Sequence, residues 1–564
     1  MGPDRRRNWY AVLSYFVKPS SLKDRLAFSL RALFKLLSIE GTGTLHGSPI
    51  FTWLLVWKLL YIALILYPTS QWWHLLKIIK KTRSICPECF NVIDATIYED
   101  GGQVLMRKEC LEHGSFEDIY WSSFKEYTRA QKYSIVGKGI ENPMTKPVHG
   151  HPFDCGLCPN HKSHPSLAII DVTNRCNLQC PICFANSAVS GYIYEPSKED
   201  IRNMLKTLSQ IKPIPPNALQ FSGGEPTVRR DLPDLIRMAK ELGFDHIEVN
   251  SNGVKLAESV EYCHELLDAG VSTIYLQFDS VKPEPYLITR GRDLLETKMK
   301  AIENCRRAGL TSIVLVPTVV RGVNDDQLGD IIAFAAENFD VIRCVNFQPV
   351  SITGRIDFEK RKQMRITIPD CIQLIEEQTE GQVQASDFYP VPSVVPISQA
   401  IGALKGKTYP EFTVHEHCGM AAFLLITDEK LVSITKNVDL DEFIEAMKKV
   451  RDTALKGSKR RAQLQMVSAV LRHARLGLLK QVLGSVVKEA SYDALGNFMK
   501  RILMIGMMHF QDPYNFDLER LERCGIHYAV SDGRVIPFCA MNTLYRSKIE
   551  RELGVPIKEW QKKQ

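Results

Sequence analysis

The chain has no compact patch of lysine and arginine interleaved with aromatics. Its net charge of +7, from 71 basic and 64 acidic residues, is spread out and gives no footprint for nucleic acid. It has no internal repeat and no long low-complexity segment, which excludes a solenoid or a linker-dominated chain. No cleavable secretory signal is visible. A regular disulfide framework is also lacking: seven of the 15 cysteines sit in two short-gap pairs and one triple, which points to metal. At 564 residues the chain is too long for one core, and three or four domains are expected.

What is present is Thr173-Asn-Arg-Cys-Asn-Leu-Gln-Cys-Pro-Ile-Cys-Phe184, with Cys176, Cys180 and Cys183 in a Cys-x3-Cys-x2-Cys spacing. Three thiolates this close can hold three irons of a cubane [4Fe–4S] cluster and leave the fourth iron open to a small molecule. Zinc knuckles and disulfide frameworks also use short-gap cysteines, though zinc knuckles favour pairs over an offset triple. The run resembles the radical S-adenosylmethionine (SAM) superfamily. That resemblance implies that the open iron chelates SAM, that a 5′-deoxyadenosyl radical follows, and that Phe184 packs by the adenine.

The downstream chain alternates as a partial (β/α)6 barrel should. Leu167–Val172 reads as a buried strand, and 197–210 as a helix with Ser197 at its N-cap. Further strands are expected at 218–221, 246–250, 273–279, 312–318 and 341–347. Polar residues recur at their carboxyl ends, where α/β barrels place active sites. Ser222-Gly-Gly-Glu-Pro-Thr227 follows the second of these strands, where the superfamily has its GGEP motif. A plain strand-to-helix turn would explain the glycines but not Glu-Pro after them. By resemblance, Gly223, Gly224, Glu225, Ser251 and Asn252 contact SAM, with Gln277, Asp279 and Arg321 as further candidates for its ribose or carboxylate.

More metal is expected on both sides. Cys86-Pro-Glu-Cys89 and Cys110-Leu-Glu-His113 flank a probable hairpin turning at Asp100-Gly-Gly102, and together offer a closed tetrahedral site for zinc or a rubredoxin-like single iron. His151, Cys155 and Cys158 repeat the three-then-two spacing and read as part of an auxiliary cluster; a turn-rich linker with one cysteine pair is the bland alternative. His161 and His164 are taken as surface or supporting groups. Cys418, Cys524 and Cys539, framed by turns and histidines, suit a third cluster with a non-cysteine or unidentified fourth ligand. Cys263, Cys305 and Cys371 lie in apolar helical patterns and read as core cysteines; Cys344, within the sixth strand, is open.

Residues 50–67 are apolar apart from Lys58, a basic amphipathic stretch spans 22–39, and Trp72, Trp73, Lys77, Lys80 and Lys81 resemble an interfacial belt. The arm reads either as one membrane anchor or as amphipathic helices in the headgroup layer. A second basic amphipathic stretch, 456–488, reads as a surface hairpin or a cap on anionic lipid heads.

From about residue 84 to 548 the pieces resemble one radical SAM subfamily, the archaeal tetraether lipid synthases, which has also been described as a pterin methyltransferase. Carrying the resemblance are the CPEC…CxxHG knuckle, DCGLCPNH, TNRCNLQCPICFANS, FSGGEP, FQPVSITGR, HCG and the terminal MMHFQDPYN…RC…IPFC. The chain departs from the subfamily at His151, where a cysteine is expected, and in its amino-terminal arm. The resemblance implies an α/β fold: a partial (β/α)6 radical SAM barrel with an N-terminal metal-knuckle domain, a C-terminal cluster domain and hydrophobic N-terminal helices. The expected domains are a membrane-associated arm (1–83), a mononuclear metal domain (84–145), an auxiliary-cluster segment (146–165), the core barrel (166–360) and a C-terminal domain (361–564). The expected cofactors are one SAM-binding [4Fe–4S] cluster, one or two auxiliary clusters, SAM and one mononuclear iron or zinc. With the apolar arm, the expectation is a radical SAM enzyme joining lipid alkyl chains at the cytoplasmic face of a membrane. Its partners would be a lipid and a low-potential donor such as ferredoxin or flavodoxin. The alternatives are methylation of 7,8-dihydro-6-hydroxymethylpterin and a non-catalytic metal-binding membrane scaffold.

Overall fold

The computed structural model describes residues 77–154, 156–187, 190–426, 431–473 and 502–563. The apolar run 50–67, the stretch 22–39, Trp72, Trp73, Cys155 and the segment 474–488 lie outside the described residues. Among the described residues no helix is long and apolar enough to cross a membrane.

The first unit is a four-stranded antiparallel sheet of consecutive strands: β1 (Lys77–Ile85), β2 (Val92–Asp100), β3 (Gln103–Cys110) and β4 (Gly114–Trp121). Gly101 and Gly102 both take positive φ between β2 and β3, as a two-residue hairpin turn requires. Lys77, Lys80 and Lys81, expected in a membrane-interfacial belt, belong instead to β1. Lys80 reaches Asp517 (3.0 Å) and Glu519 (2.7 Å), so its charge is paired within the protein. Lysines mixed with isoleucines in Lys77-Ile-Ile-Lys-Lys81 suit one strand with an exposed face as well as they suit a belt.

The second unit is a thirteen-stranded sheet. The six expected strands are present: β5 (Leu167–Thr173), β6 (Ala218–Gly223), β7 (His246–Ser251), β8 (Thr273–Gln277), β9 (Ile313–Val316) and β10 (Ile342–Pro349). Each pairs in parallel with the next in chain order. Helices pack between them. The first, α1 (Lys198–Ser209), opens with a Ser197–Asp200 capping box and buries Ile201, Met204, Leu205 and Leu208 on one stripe. The protein therefore has the α/β radical SAM barrel with a separate amino-terminal metal-knuckle sheet.

The carboxyl-terminal residues extend this sheet at both ends. Strand β11 (Gly419–Ile426) lies antiparallel to β12 (Ile502–Met508), and β12 lies parallel to β10. At the other edge β13 (Ile526–Ala529) lies parallel to β5 and carries β14 (Val535–Pro537) antiparallel. Eight contiguous parallel strands result, and residues beyond 360 form part of the barrel wall. Helix 459–473 turns Ala462 and Ala469 inward and leaves Leu464, Val467 and Leu471 exposed. Cys263, Cys305 and Cys371 are buried in the core, as is Cys344 on β10.

Candidate active site

The carboxyl ends of β5 to β8 face a cavity enclosing about 1400 Å³ of space open to solvent. Cys176, Cys180, Cys183, Phe184, Gly223, Gly224, Glu225, Ser251, Asn252 and Gln277 all line it. The cysteine loop leaves β5 and is pinned at its far end by paired backbone hydrogen bonds between Cys183 and Arg355, both 2.9 Å. Burial pushes the Cys176 thiol up to about 12 and raises Cys180, whose shift the nearby Arg290 guanidinium partly offsets. Sulfurs so placed are poor free thiolates and become ligands when a cation replaces the proton.

The GGEP segment first solves a packing problem. Gly223 has φ +135°, and a Cβ there would strike the Thr173 carbonyl oxygen; a Cβ on Gly224 would strike that of Arg175. The turn can therefore lie directly on the start of the cysteine loop, fixed by Gly224 N–H to Thr173 O and Glu225 N–H to Arg175 O, both 2.8 Å. Glu225 is fully buried, and burial raises its pKa. One carboxylate oxygen accepts from the hydroxyls of Thr227 (2.5 Å) and Ser251 (2.8 Å), the other from the Asn252 N–H (2.7 Å). It brackets the ends of β6 and β7, while Asn252 Nδ2 donates to Asn177 of the cysteine loop at 2.6 Å.

Sequence reasoning missed two cations. Lys298 Nζ donates to Asn252 O (2.5 Å) and Gln277 Oε1 (2.6 Å), and burial lowers its pKa to about 7. Gln277 is thereby oriented with its Nε2 buried and without a partner. Arg290 is the other. Asp279, expected near SAM, is fully buried and bound by Arg290 at 2.6 Å, so its carboxylate is not free for a ligand. Arg321 is also not in the cavity; it pairs with Asp370 at 3.0 Å and donates to Arg365 O. Neither displacement could be read locally, because the partners lie on other elements.

The cavity floor is polar: Gln220, Asn250, Tyr275 and Gln348, with Gln348 Nε2 donating to the Tyr275 hydroxyl at 3.1 Å. Its far wall is aromatic and comes from the carboxyl-terminal strands. Phe510 and Phe538 stack at 3.9 Å, with Phe184 and Tyr528 beside Phe538. The MMHFQDPYN and IPFC runs were the only sequence signal for this wall.

The other predicted ligands fall into three places. Cys86, Cys89, Cys110 and His113 present ligand atoms all within 4.8 Å of one another. Cys89 and Cys110 sulfurs are 3.9 Å apart, and His113 Nδ1 lies 3.5 Å from Cys110 and 3.7 Å from Cys86. A tetrahedral zinc with about 2.3 Å bonds to sulfur needs ligand separations of roughly 3.8 Å, so these residues fit the ion. His151 Nε2 is 3.1 Å from Cys158 Sγ. His161 and His164, expected as surface or supporting groups, are buried, and His161 Nε2 donates to Cys524 O (3.0 Å). Cys418, Cys524 and Cys539 are close enough for their charges to interact: burial first, then Cys539, raises Cys524, and burial then Cys418 raises Cys539. Arg520 stays protonated against its own burial because the Cys418 sulfur faces it. His509, whose N–H donates to Cys418 O at 3.0 Å, is buried with both ring nitrogens unpartnered.

Two family patterns match: the radical SAM superfamily over residues 170–335, and the "HMPTM N-terminal zinc ribbon domain" over 78–122. The chain is 48% identical over 496 residues to a 7,8-dihydro-6-hydroxymethylpterin dimethyltransferase of Methanocaldococcus jannaschii, covering 86% of this chain and 97% of that one. A probable GTP 3′,8-cyclase of Methanothermobacter marburgensis is 30% identical over 187 residues, 33% of this chain and 59% of its own. Among solved structures, Streptococcus suis SuiB bound to SAM aligns over 39% of this chain and 48% of that one, at 17% identity and a TM-score of 0.30. The first similarity overturns the expectation of a lipid-coupling synthase. It covers nearly the whole length of a protein named for methylating a pterin. The lipid reading leaned on the apolar arm, which lies outside the described residues.

Proposed function

Because the chain belongs to the radical SAM superfamily, and within it to the family of that dimethyltransferase, we propose that it methylates 7,8-dihydro-6-hydroxymethylpterin or a pterin close to it. The similarity over nearly the whole length of that enzyme carries the reading. Membership brings a [4Fe–4S] cluster and SAM, and the cavity fits them: three half-buried thiols, a glycine turn with no room for side chains, and an unpartnered Gln277 Nε2. When bound, these groups supply the 5′-deoxyadenosyl radical, which takes hydrogen from unactivated carbon.

The chain's own residues do the rest. Cys176, Cys180 and Cys183 would hold the cluster, and the Glu225 bracket keeps Ser251 and Asn252 in place for SAM. Lys298 fixes Gln277 so that its Nε2 donates toward the cavity. A pterin is flat, aromatic and ringed with hydrogen-bonding edges. The stacked Phe510 and Phe538 offer its face an apolar wall, and Gln220, Asn250, Tyr275 and Gln348 offer its edge donors and acceptors. The same aromatic wall limits water around a carbon radical. Electrons come from a low-potential donor of the ferredoxin or flavodoxin class.

The test is anaerobic expression in a host supplied with this pterin, followed by mass analysis of its pterins. Pterins heavier by one or two methyl groups, absent with Cys176→Ala, are the expected result. Formation of 5′-deoxyadenosine with every pterin unchanged overturns it.

A further inference from the structure

The Asp279–Arg290 pair stands at the cysteine triplet. Arg290 donates through Nε to Asp279 Oδ2 (2.6 Å) and through NH2 to Oδ1 (2.8 Å), a two-pronged fork. NH2 also reaches Thr318 Oγ1 at 3.1 Å, and NH1 donates to Ile182 O, the carbonyl between Cys180 and Cys183, at 3.2 Å. Asp279 accepts two more bonds, from Thr289 Oγ1 (2.8 Å) and Thr318 N–H (3.1 Å), so the carboxylate is satisfied and cannot swing away. Arg290 lines the same cavity as the three cysteines, and its guanidinium acts on the sulfurs of both Cys180 and Cys183. Side-chain exposure is 9% for Arg290 and 0% for Asp279, so water screens little of this charge.

We propose that Arg290, locked by Asp279, is a positioning residue that sets the reduction potential of the cluster held by Cys176, Cys180 and Cys183. Uptake of one electron from the low-potential donor makes the bound cluster one charge more negative. A fixed cation at two of its three sulfurs stabilises that reduced state, and hydrogen bonds to sulfur act in the same direction. Asp279 moderates the effect with an opposite charge one residue further out. Other charged side chains at the cavity are Lys298, on the side of Asn252, Glu225, which acts on Cys176, and Arg355 and Arg546 in its lining. Arg355 meets Cys183 through its backbone, whereas Arg290 binds the Ile182 carbonyl beside it through its guanidinium.

A purely structural salt bridge would tie helix 284–290 to the barrel and give the same contacts. The two readings differ in sign. Removing Arg290 lowers the potential; removing only the Asp279 charge raises it. A structural pair loses order either way and moves both variants together.

The experiment is an electron-paramagnetic-resonance redox titration of the reconstituted full-length protein, without SAM or pterin. It compares wild type with R290Q, R290K and D279N at matched iron content. At a fixed donor potential the reduced fraction in R290Q is expected to fall about tenfold, which is 59 mV for a one-electron couple. D279N is expected to be reduced more readily than wild type, and R290K to lie between wild type and R290Q. Shifts of one sign in both R290Q and D279N overturn the proposal, as does an unchanged potential with weakened SAM binding. Should R290Q not retain iron, D279N decides alone: a potential at or below that of wild type overturns it. The measurement involves no pterin and stands apart from any failure of the methylation reading.

Discussion

The ribbon and the barrel loop hold cysteines by the same local device and leave them with opposite prospects. In each, the backbone N–H two residues beyond the first cysteine donates to its sulfur: Glu88 to Cys86 and Leu178 to Cys176, both at 3.4 Å. In the ribbon, hairpin ends close four ligand atoms around one point. In the barrel, three sulfurs face a cavity that Gly223, Gly224 and Asn252 also line. A closed ligand set makes a structural metal site, and an open one makes a catalytic site. The difference comes not from the cysteine spacing but from what the fold brings up as the fourth partner.

The comparison breaks most sharply on single ligands. Cys176→Ala is expected to reduce 5′-deoxyadenosine formation to background while the melting temperature and the ribbon metal stay as in wild type. Cys110→Ala is expected to do the reverse: the ribbon metal is lost, at a stability cost on the order of several kcal/mol, and barrel iron is retained. Metal analysis with a thermal melt checks both, and a common response in the two variants removes the distinction. Gly223→Ala is next in size. It forces a side chain into positive φ and onto Thr173 O, so a loss of about 1–3 kcal/mol is expected, with weaker SAM binding by calorimetry. Normal binding and stability would show that the turn has slack.

Per pH unit, the smallest effect concerns Lys298. Its folded pKa is lowered by burial to about 7, below the unfolded value near 10.5. The unfolded chain therefore binds more protons between those values, and stability rises with pH across that window and is lost as pH falls through it. The contribution is at most about 1.4 kcal/mol per pH unit. Lys298→Met is expected to flatten that part of the stability curve in denaturant titrations from pH 7 to 10; an unchanged slope refutes it.

Local signals made much of this molecule legible. The triplet, the Gly-Gly-Glu-Pro turn and the Ser197 cap are short-range patterns, and the six core strands follow from apolar runs spaced by amphipathic helices. Strand ends moved by at most two residues, as with β8, which stops at Gln277 before the buried Asp279. Illegible were features made by distant pairing. Nothing near residues 502–508 or 526–529 says that they flank β10 and β5, and nothing near Asp279 says that Arg290 takes it. Lys80 of β1 was misread for the same reason: its partners Asp517 and Glu519 lie at the other end of the chain. The substrate was misread because an apolar arm outweighed pocket residues that only the fold assembles, among them Phe510 and Phe538.

The pairing of β13 with β5 also bears on how the protein is made. Chains fold as they emerge, amino-terminal part first. The strand that launches the cysteine loop therefore keeps an open edge until residues 526–529 have left the ribosome. An unpaired edge invites pairing with other chains. A truncation ending just before residue 524 would keep the whole triplet and the ribbon ligands, yet leave that edge bare, and aggregation rather than misligation would be its failure.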